Sequence, residues 1–299
     1  MSQLPDRNPT RLKYESAHSR YLELDGARFH YRIEGTGPTL ILLHGVMASL
    51  HTWDGWVERM ASHYRIIRVD LPGFGLSDPL TDPEHYSPEH SCEMLDKLRA
   101  AFGVERFFLA GNSLGGFLAW FYAAHHPDRV EKLILVDPIA YPQALPPVMS
   151  LVSLPGIGEV ARHWAPRFLV EQNVRQVYGN PSAITQQTVD RYYELLMHGN
   201  NRAAMVAYFR RIKMFAKDHT IAPIVRKIQT PTLLMWGGKD RWVPPALIAL
   251  WKRDVKNLQV RVYPSAGHIP MEELPEETSR DALAFLGSLS QGRAPTLSS

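Results

Sequence analysis

A serine set between two glycines is the residue of this chain whose surroundings speak most directly of chemistry. Phe107-Phe108-Leu109-Ala110 is an apolar run of strand type, Gly111-Asn112-Ser113-Leu114-Gly115-Gly116 follows it, and helix-type sequence runs on from Phe117 to His125. Gly-x-Ser-x-Gly between a strand and a helix forces a sharp turn, because a Cβ at Gly111 or Gly115 would hold the two elements apart. Ser113 then stands at the C-terminal edge of a sheet, beside helix-start N–H groups that can receive negative charge. That is a setting for nucleophilic attack. The bland alternative is a loop in which Ser113 only caps the next helix.

A serine hydroxyl is a weak nucleophile at neutral pH and needs a base within hydrogen-bond reach, itself oriented by an acid. In open parallel sheets such groups lie on the loops that follow the strands. After the predicted strand Thr232 to Trp236 comes Gly237-Gly238-Lys239-Asp240-Arg241-Trp242, which offers Asp240 as the acid, although Gly-Gly-Lys-Asp is also a generic turn. After Leu258 to Tyr263 comes Pro264-Ser265-Ala266-Gly267-His268, which offers His268 as the base. Thirteen histidines make any one of them unremarkable; what favours His268 is its place after the last strand, in the chain order Ser…Asp…His. Asp137, after Lys132 to Val136, is the rival acid. His44-Gly45-Val46-Met47 follows Thr39 to Leu43. There the Val46 N–H, together with the Leu114 N–H, can point at the oxyanion that forms when Ser113 attacks a carbonyl. Gly45, Met47 and Trp242 are the candidate substrate contacts. His44 is expected to tie loops together, and Asp70 to Asp78 to wall the site.

The elements that must carry these groups alternate. Tyr21 to Leu24 and Arg28 to Ile33 flank Asp25-Gly26 as a hairpin. Thr39 to Leu43, Arg65 to Val69, Arg106 to Ala110, Lys132 to Val136, Thr232 to Trp236 and Leu258 to Tyr263 read as further strands. Helical stretches at Trp53 to Ala61, Glu89 to Phe102, Leu114 to His125, Pro245 to Lys252 and Glu276 to Leu286 lie between them. Strand and helix taking turns predicts right-handed crossovers and a mostly parallel sheet, an α/β fold. The alternation breaks between Ile139 and Ala222, which opens on prolines and continues with helical pattern at Val174 to Tyr178, Thr185 to Met197 and Arg202 to Phe215. The expected organisation is an N-terminal extension 1–18, a core from 19–138 and 223–290, a helical cap 139–222 and a flexible tail 291–299.

Composition narrows the function classes. Hydrophobic content of 45% and charged content of 21% describe an ordinary globular chain of 299 residues. A net charge of +3 is too weak to argue for nucleic acid. The surplus lies in the cap segment, with nine Arg/Lys against five Asp/Glu between 139 and 222, and 24 against 25 elsewhere. The single cysteine, Cys92, permits no internal disulfide and fits a reducing, cytoplasmic setting. Met1 to Tyr14 is polar and proline-bearing, so no signal peptide is expected, and no apolar run approaches membrane length. Trp164 and Phe168, with Leu151, Val152 and Leu154 before them, are expected to line the substrate pocket or the cap–core contact; a lipid-touching edge is the alternative, and membrane contact is not expected. A P-loop and a dinucleotide fingerprint are both missing.

Taken together, His44-Gly45, Asp70-Leu71-Pro72-Gly73-Phe74-Gly75, Gly111-Asn112-Ser113-Leu114-Gly115-Gly116, Asp240 and Ala266-Gly267-His268 resemble the α/β-hydrolase fold family, in its serine-nucleophile branch, over about Tyr21 to Gly287. The resemblance implies an eight-stranded sheet flanked by helices, a Ser113–His268–Asp240 triad, a helical lid, and neither cofactor nor metal. Related dehalogenases and epoxide hydrolases place aspartate where this chain has Ser113. Esterases of the hormone-sensitive-lipase type carry His-Gly-Gly-Gly, unlike His44-Gly45-Val46-Met47. The Gly-Asn-Ser-Leu-Gly-Gly elbow is similar to that of hydrolases cleaving carbon–carbon bonds of ring-fission products, whose glycine- and proline-rich oxyanion loop Met47-Ala48-Ser49-Leu50 departs from. The expectation is a carboxylesterase or lipase-like enzyme for a small-molecule ester, as monomer or homodimer. The alternatives are a carbon–carbon hydrolase and a non-catalytic binding protein on a hydrolase scaffold.

Overall fold

The computed structural model describes residues 8–288; the expected tail 291–299 lies outside them. Eight strands form one sheet in the order β1-β2-β4-β3-β5-β6-β7-β8, from β1 (Ser19–Leu24), β2 (Ala27–Glu34), β3 (Thr39–Leu43) and β4 (Arg65–Val69) to β5 (Phe107–Asn112), β6 (Val130–Val136), β7 (Thr232–Gly237) and β8 (Leu258–Tyr263). β2 runs antiparallel to both β1 and β4; every other pairing is parallel. The opening hairpin closes through Asp25 and Gly26 at φ of 52° and 75°, the paired left-handed residues of the turn that suits twisted strands.

The strand periodicity sorts the core into two layers. Ile41, Leu43, Leu109, Leu133, Leu135 and Trp236 face one side, under the helices Pro88–Ala101 and Leu114–His125. Leu40, Leu42, Ala110, Ile134, Val136 and Met235 face the other, where Trp53, Trp56 and Phe285 cover them. Both faces are apolar in β3, β5 and β6, so these strands read as continuous hydrophobic runs. The helix Leu114–His125 is buried from Leu114 to Ala124, which fixes the turn before it against the middle of the sheet.

Between β6 and β7 the chain runs through the helices Pro147–Val152, Pro155–His163, Arg167–Val177, Gln186–Met197 and Asn201–Phe215. The first two are not among the helices expected from the sequence, where they fall in the proline-bearing opening of the segment, and the third is longer than the sequence pattern predicts. Trp164, Phe168, Leu151 and Leu154 do not line the pocket or the cap–core contact as expected; all four are exposed. The reason lies in the helix Pro155–His163. Gly158 turns inward against Val206 and Arg210, which points the opposite stripe away from the core. Val152 alone of that group packs on the core.

Candidate active site

Ser113 caps the helix Leu114–His125 at φ 54°, ψ −114°, a strained pair for any residue with a side chain. Glycines on either side make it possible. A Cβ on Gly111 would fall 2.1 Å from the Gly115 carbonyl oxygen, and one on Gly115 would fall 2.3 Å from that of Leu43. The Ser113 N–H donates to the Val136 carbonyl oxygen at 3.0 Å, locking the turn to the end of β6.

The next strand ends deliver the other groups. Asp240, after β7, is buried, and its Oδ1 accepts from the Trp242 and Val243 amides at 2.7 and 3.0 Å. Its Oδ2 lies 2.7 Å from Nδ1 of His268, after β8. Because Oδ2 only accepts, Nδ1 carries the proton when the ring is neutral, and Nε2 is left as the acceptor. Nε2 is buried and has no hydrogen-bond partner among the described residues. His268 and Ser113 line the same cavity, and no hydrogen bond joins them in this structure. Three further contacts hold the histidine: Trp242 stacks on its ring at 5.8 Å, Asn112 Nδ2 donates to its carbonyl oxygen at 3.0 Å, and its own N–H donates to Val177 at 2.7 Å.

The cavity is small, about 40 Å³. Gly45, Val46, Met47 and Trp242 line it with Ser113 and His268, and Leu114 does not. Met47 sits at φ 61° in a turn closed by the Ala48 N–H on the Gly45 carbonyl oxygen. Neither the Val46 nor the Leu114 amide donates to a protein acceptor among the described residues. His44 bridges two loops: Nδ1 donates to the Gly45 carbonyl oxygen at 2.7 Å and Nε2 accepts from the Leu71 N–H at 2.9 Å. Burial holds its pKa below the ordinary histidine value despite the nearby Asp70 charge.

Residues that sequence reasoning missed come from two sources. Val170, Asn173, Val174 and Val177 of the helix Arg167–Val177 form the roof; their spacing is helical, but nothing in the sequence says what that helix covers. Asn112 reads in the sequence only as part of the turn. Conversely, the segment from Asp70 to Asp78 does not wall the cavity as expected. It anchors the cap from below, where Phe74 stacks on Tyr208 and Asn201 Nδ2 donates to the Gly75 carbonyl oxygen at 3.0 Å.

Asp137 lies behind this set. It is fully buried at φ 46°, with Oδ1 accepting from the Gly237 N–H at 2.9 Å. Ligand atoms of Asp137, Asp240 and His268 come within 4.8 Å of one another, the one such grouping with metal-ligand spacing among the described residues. The Asp240 oxygens are already filled by N–H donors, so the cluster fits a hydrogen-bonded carboxyl pair better than a cation. Burial first, and then the Asp240 charge, holds the Asp137 carboxyl well above the ordinary range. Both causes favour the protonated form of Asp137, since two adjacent buried carboxylates would repel. Cys92 is remote from all this, and burial pushes its thiol up to about 12, leaving no reactive thiolate.

Comparison with known proteins agrees with this geometry at the level of fold. The chain is 25% identical over 295 residues to Epoxide hydrolase 3 of Xenopus tropicalis, covering 91% of this chain and 79% of that one. It is 25% identical over 272 residues to the 2-hydroxy-6-oxo-6-phenylhexa-2,4-dienoate hydrolase of Burkholderia cepacia, covering 89% and 93%. A solved structure described as a membrane phospholipase A superposes with a TM-score of 0.72 at 28% identity, covering 90% and 85%. Residues 38–275 match the family described as alpha/beta hydrolase fold, and the chain belongs to that family.

Proposed function

We propose that the protein is a serine hydrolase that cleaves carboxylic esters of small to medium acyl groups through an acyl-enzyme. Ser113 Oγ attacks the ester carbonyl while His268 Nε2 takes its proton. Asp240 holds the ring with Nδ1 protonated and stabilises the imidazolium that forms. The oxyanion rests on the Val46 and Leu114 N–H groups. His268 then protonates the departing alkoxide, and water repeats the sequence on the acyl-enzyme to release the acid and restore Ser113. One observation carries this reading: the 2.7 Å Asp240–His268 bond that leaves Nε2 unpartnered in the wall of the cavity Ser113 lines.

Bond type is argued from the lining. Attack by a serine alkoxide on an epoxide carbon would leave an ether, which water does not release, so Ser113 speaks against epoxide chemistry. A carbon–carbon hydrolase acting on a dienoate must receive a carboxylate. The similarity to a dienoate hydrolase favours that second reading, but no Arg or Lys lines the cavity, and the apolar walls favour a neutral ester. Turnover of p-nitrophenyl butyrate should fall by roughly a thousandfold or more in Ser113→Ala, with a fluorophosphonate probe labelling the wild type alone. Equal turnover by both proteins would remove the proposal, and preference for a dienoate over simple esters would replace it with the second reading. Failure of the probe to label would favour a non-catalytic binding protein.

A further inference from the structure

Ten large hydrophobic side chains stand exposed among the described residues, and seven of them fall between 151 and 169, on the outer surface of the cap. Leu151, Val160, Trp164 and Phe168 are 52%, 57%, 62% and 66% exposed. In the helix Pro155–His163, Ile157, Val160 and the C-capping Trp164 recur at i, i+3 and i+7 and form one stripe. Glu159, Arg162 and His163 lie to the other side, and Gly158 faces inward. Phe168 and Leu169 continue the apolar surface on the next helix. Isolated exposed leucines need no explanation, but a clustered patch that includes a tryptophan and a phenylalanine does.

A cationic groove of about 740 Å³ adjoins this patch through Arg162 and His163. Arg202, Arg210 and Arg211 line it as well, and Met214, itself exposed, lies on its rim. Carboxylates do not neutralise it. Glu84 pairs with Arg211 and Glu159 with Arg162. Arg202 spends its guanidinium on the Arg162 and Met197 carbonyl oxygens. Arg210 makes no hydrogen bond or ion pair among the described residues. Four guanidinium groups therefore meet two carboxylates beside the most apolar part of the surface. An amphipathic face with aromatic anchors and a basic flank is the arrangement that settles into the headgroup region of an anionic bilayer.

We infer that this outer face of the cap is a docking surface for anionic lipid bilayers. Trp164, Phe168 and the Ile157/Val160 stripe enter the headgroup boundary, and Arg162, Arg202 and Arg210 meet lipid phosphates. The contact is peripheral, since no helix among the described residues is long and apolar enough to cross a membrane. It departs from the sequence reading, in which membrane contact is not expected, because side chains expected inside the cap lie outside it. It also places a bilayer against the helix that roofs the cavity. Arg167–Val177 carries Phe168 and Leu169 on its outer side and Val170 and Val174 on its inner side.

The test is flotation of the full chain with phosphatidylcholine vesicles containing phosphatidylglycerol, against vesicles of phosphatidylcholine alone, at low and high salt. The wild type should float with the anionic vesicles and be released by salt. The double variants Trp164→Ala/Phe168→Ala and Arg162→Ala/Arg210→Ala should each lower binding by roughly tenfold. Both should keep the melting profile and the p-nitrophenyl butyrate turnover of the wild type, because none of the four residues touches the cavity. The binding readout is independent of ester chemistry, so failure of either proposal leaves the other standing. Absence of flotation, equal flotation of wild type and variants, or equal binding to both vesicle types would overturn the inference. So would light scattering that shows this face burying itself in a dimer that does not bind vesicles.

Discussion

Ser113 keeps its strained backbone only because Gly111 and Gly115 let β5, the following helix and β3 close around it. Those glycines are visible in the sequence, and so are the loop positions of Asp240 and His268. The sequence favours Asp240 as the acid that faces the histidine but keeps Asp137 as a rival, since both follow strands. Register decides it: β6 and β7 pair directly, so both carboxyls reach the same place, and only Asp240 bonds the ring. Asp137 then has a different character. Gly237 N–H donates to it, and Asp240, Glu273 and His268 are the charged or titratable groups around it. Burial, reinforced by the Asp240 charge, raises its carboxyl above the unfolded value of about 3.9. Its contribution to stability is therefore complete below that value and lost as pH rises through the raised one. Asp137→Asn keeps a donor toward Asp240 and has no proton to lose. It should melt close to wild type at about pH 4 and lack the loss that sets in there as pH rises, whereas Asp137→Ala should cost about 1–3 kcal/mol at that pH and progressively less as pH rises. Thermal melts of the three proteins from about pH 4 upward provide the check, and parallel profiles for wild type and Asp137→Asn would remove the role.

At the scale of elements, the doubly buried strands were legible because continuous apolar runs bounded by turn residues have few other uses. The helix Arg167–Val177 was not, because its apolar residues divide between an inner face at Val170 and Val174 and an outer end at Phe168 and Leu169. A helix apolar on two sides has no clean period. Its C-terminal end is pinned: the His268 N–H donates to Val177, and a Cβ on Gly267 would lie 2.3 Å from the Val177 carbonyl oxygen. The roof therefore moves with the histidine loop at that end, and Val170 and Val174 set the ceiling. A cavity of about 40 Å³ falls far below the roughly 300–1,000 Å³ of ordinary ligand sites, so acyl groups beyond the shortest must displace the roof. Val174→Ala should raise kcat/KM for p-nitrophenyl hexanoate relative to acetate by roughly tenfold, in line with the 1–3 kcal/mol that a methylene is worth in a fitted pocket. An unchanged ratio would mean that chain length is read elsewhere.

On the scale of the whole molecule, core and cap are held together partly by a segment whose sequence shows only polarity and a proline. The helix Pro9–Tyr14 starts on an Asn8 cap, whose Oδ1 accepts from the Thr10 N–H at 3.0 Å. It then reaches two bodies at once. The Tyr14 hydroxyl and Lys13 Nζ both donate to Glu194 of the cap at 2.8 Å, and the Tyr14 carbonyl oxygen accepts from Arg32 of β2 at 2.5 Å. The Tyr14 ring packs with Leu76 and Leu195, so the apolar contact also joins the sheet side to the cap. A short helix with one apolar face two residues wide gives no periodic signal, and its partners are far away in the chain. The exposed Lys13 pair is worth little in water, and the buried ring carries most of the strap. Tyr14→Ala should therefore lower stability by about 3 kcal/mol, which for a chain of this length is a fall of roughly 6 °C in Tm. Tyr14→Phe, which loses only the hydroxyl contact, should cost about 1 kcal/mol. Limited proteolysis of Tyr14→Ala should cut first within the cap, while short-ester turnover stays near wild type because the strap does not touch the cavity. Equal Tm values for Tyr14→Ala and wild type would show that this strap does not hold the cap in place.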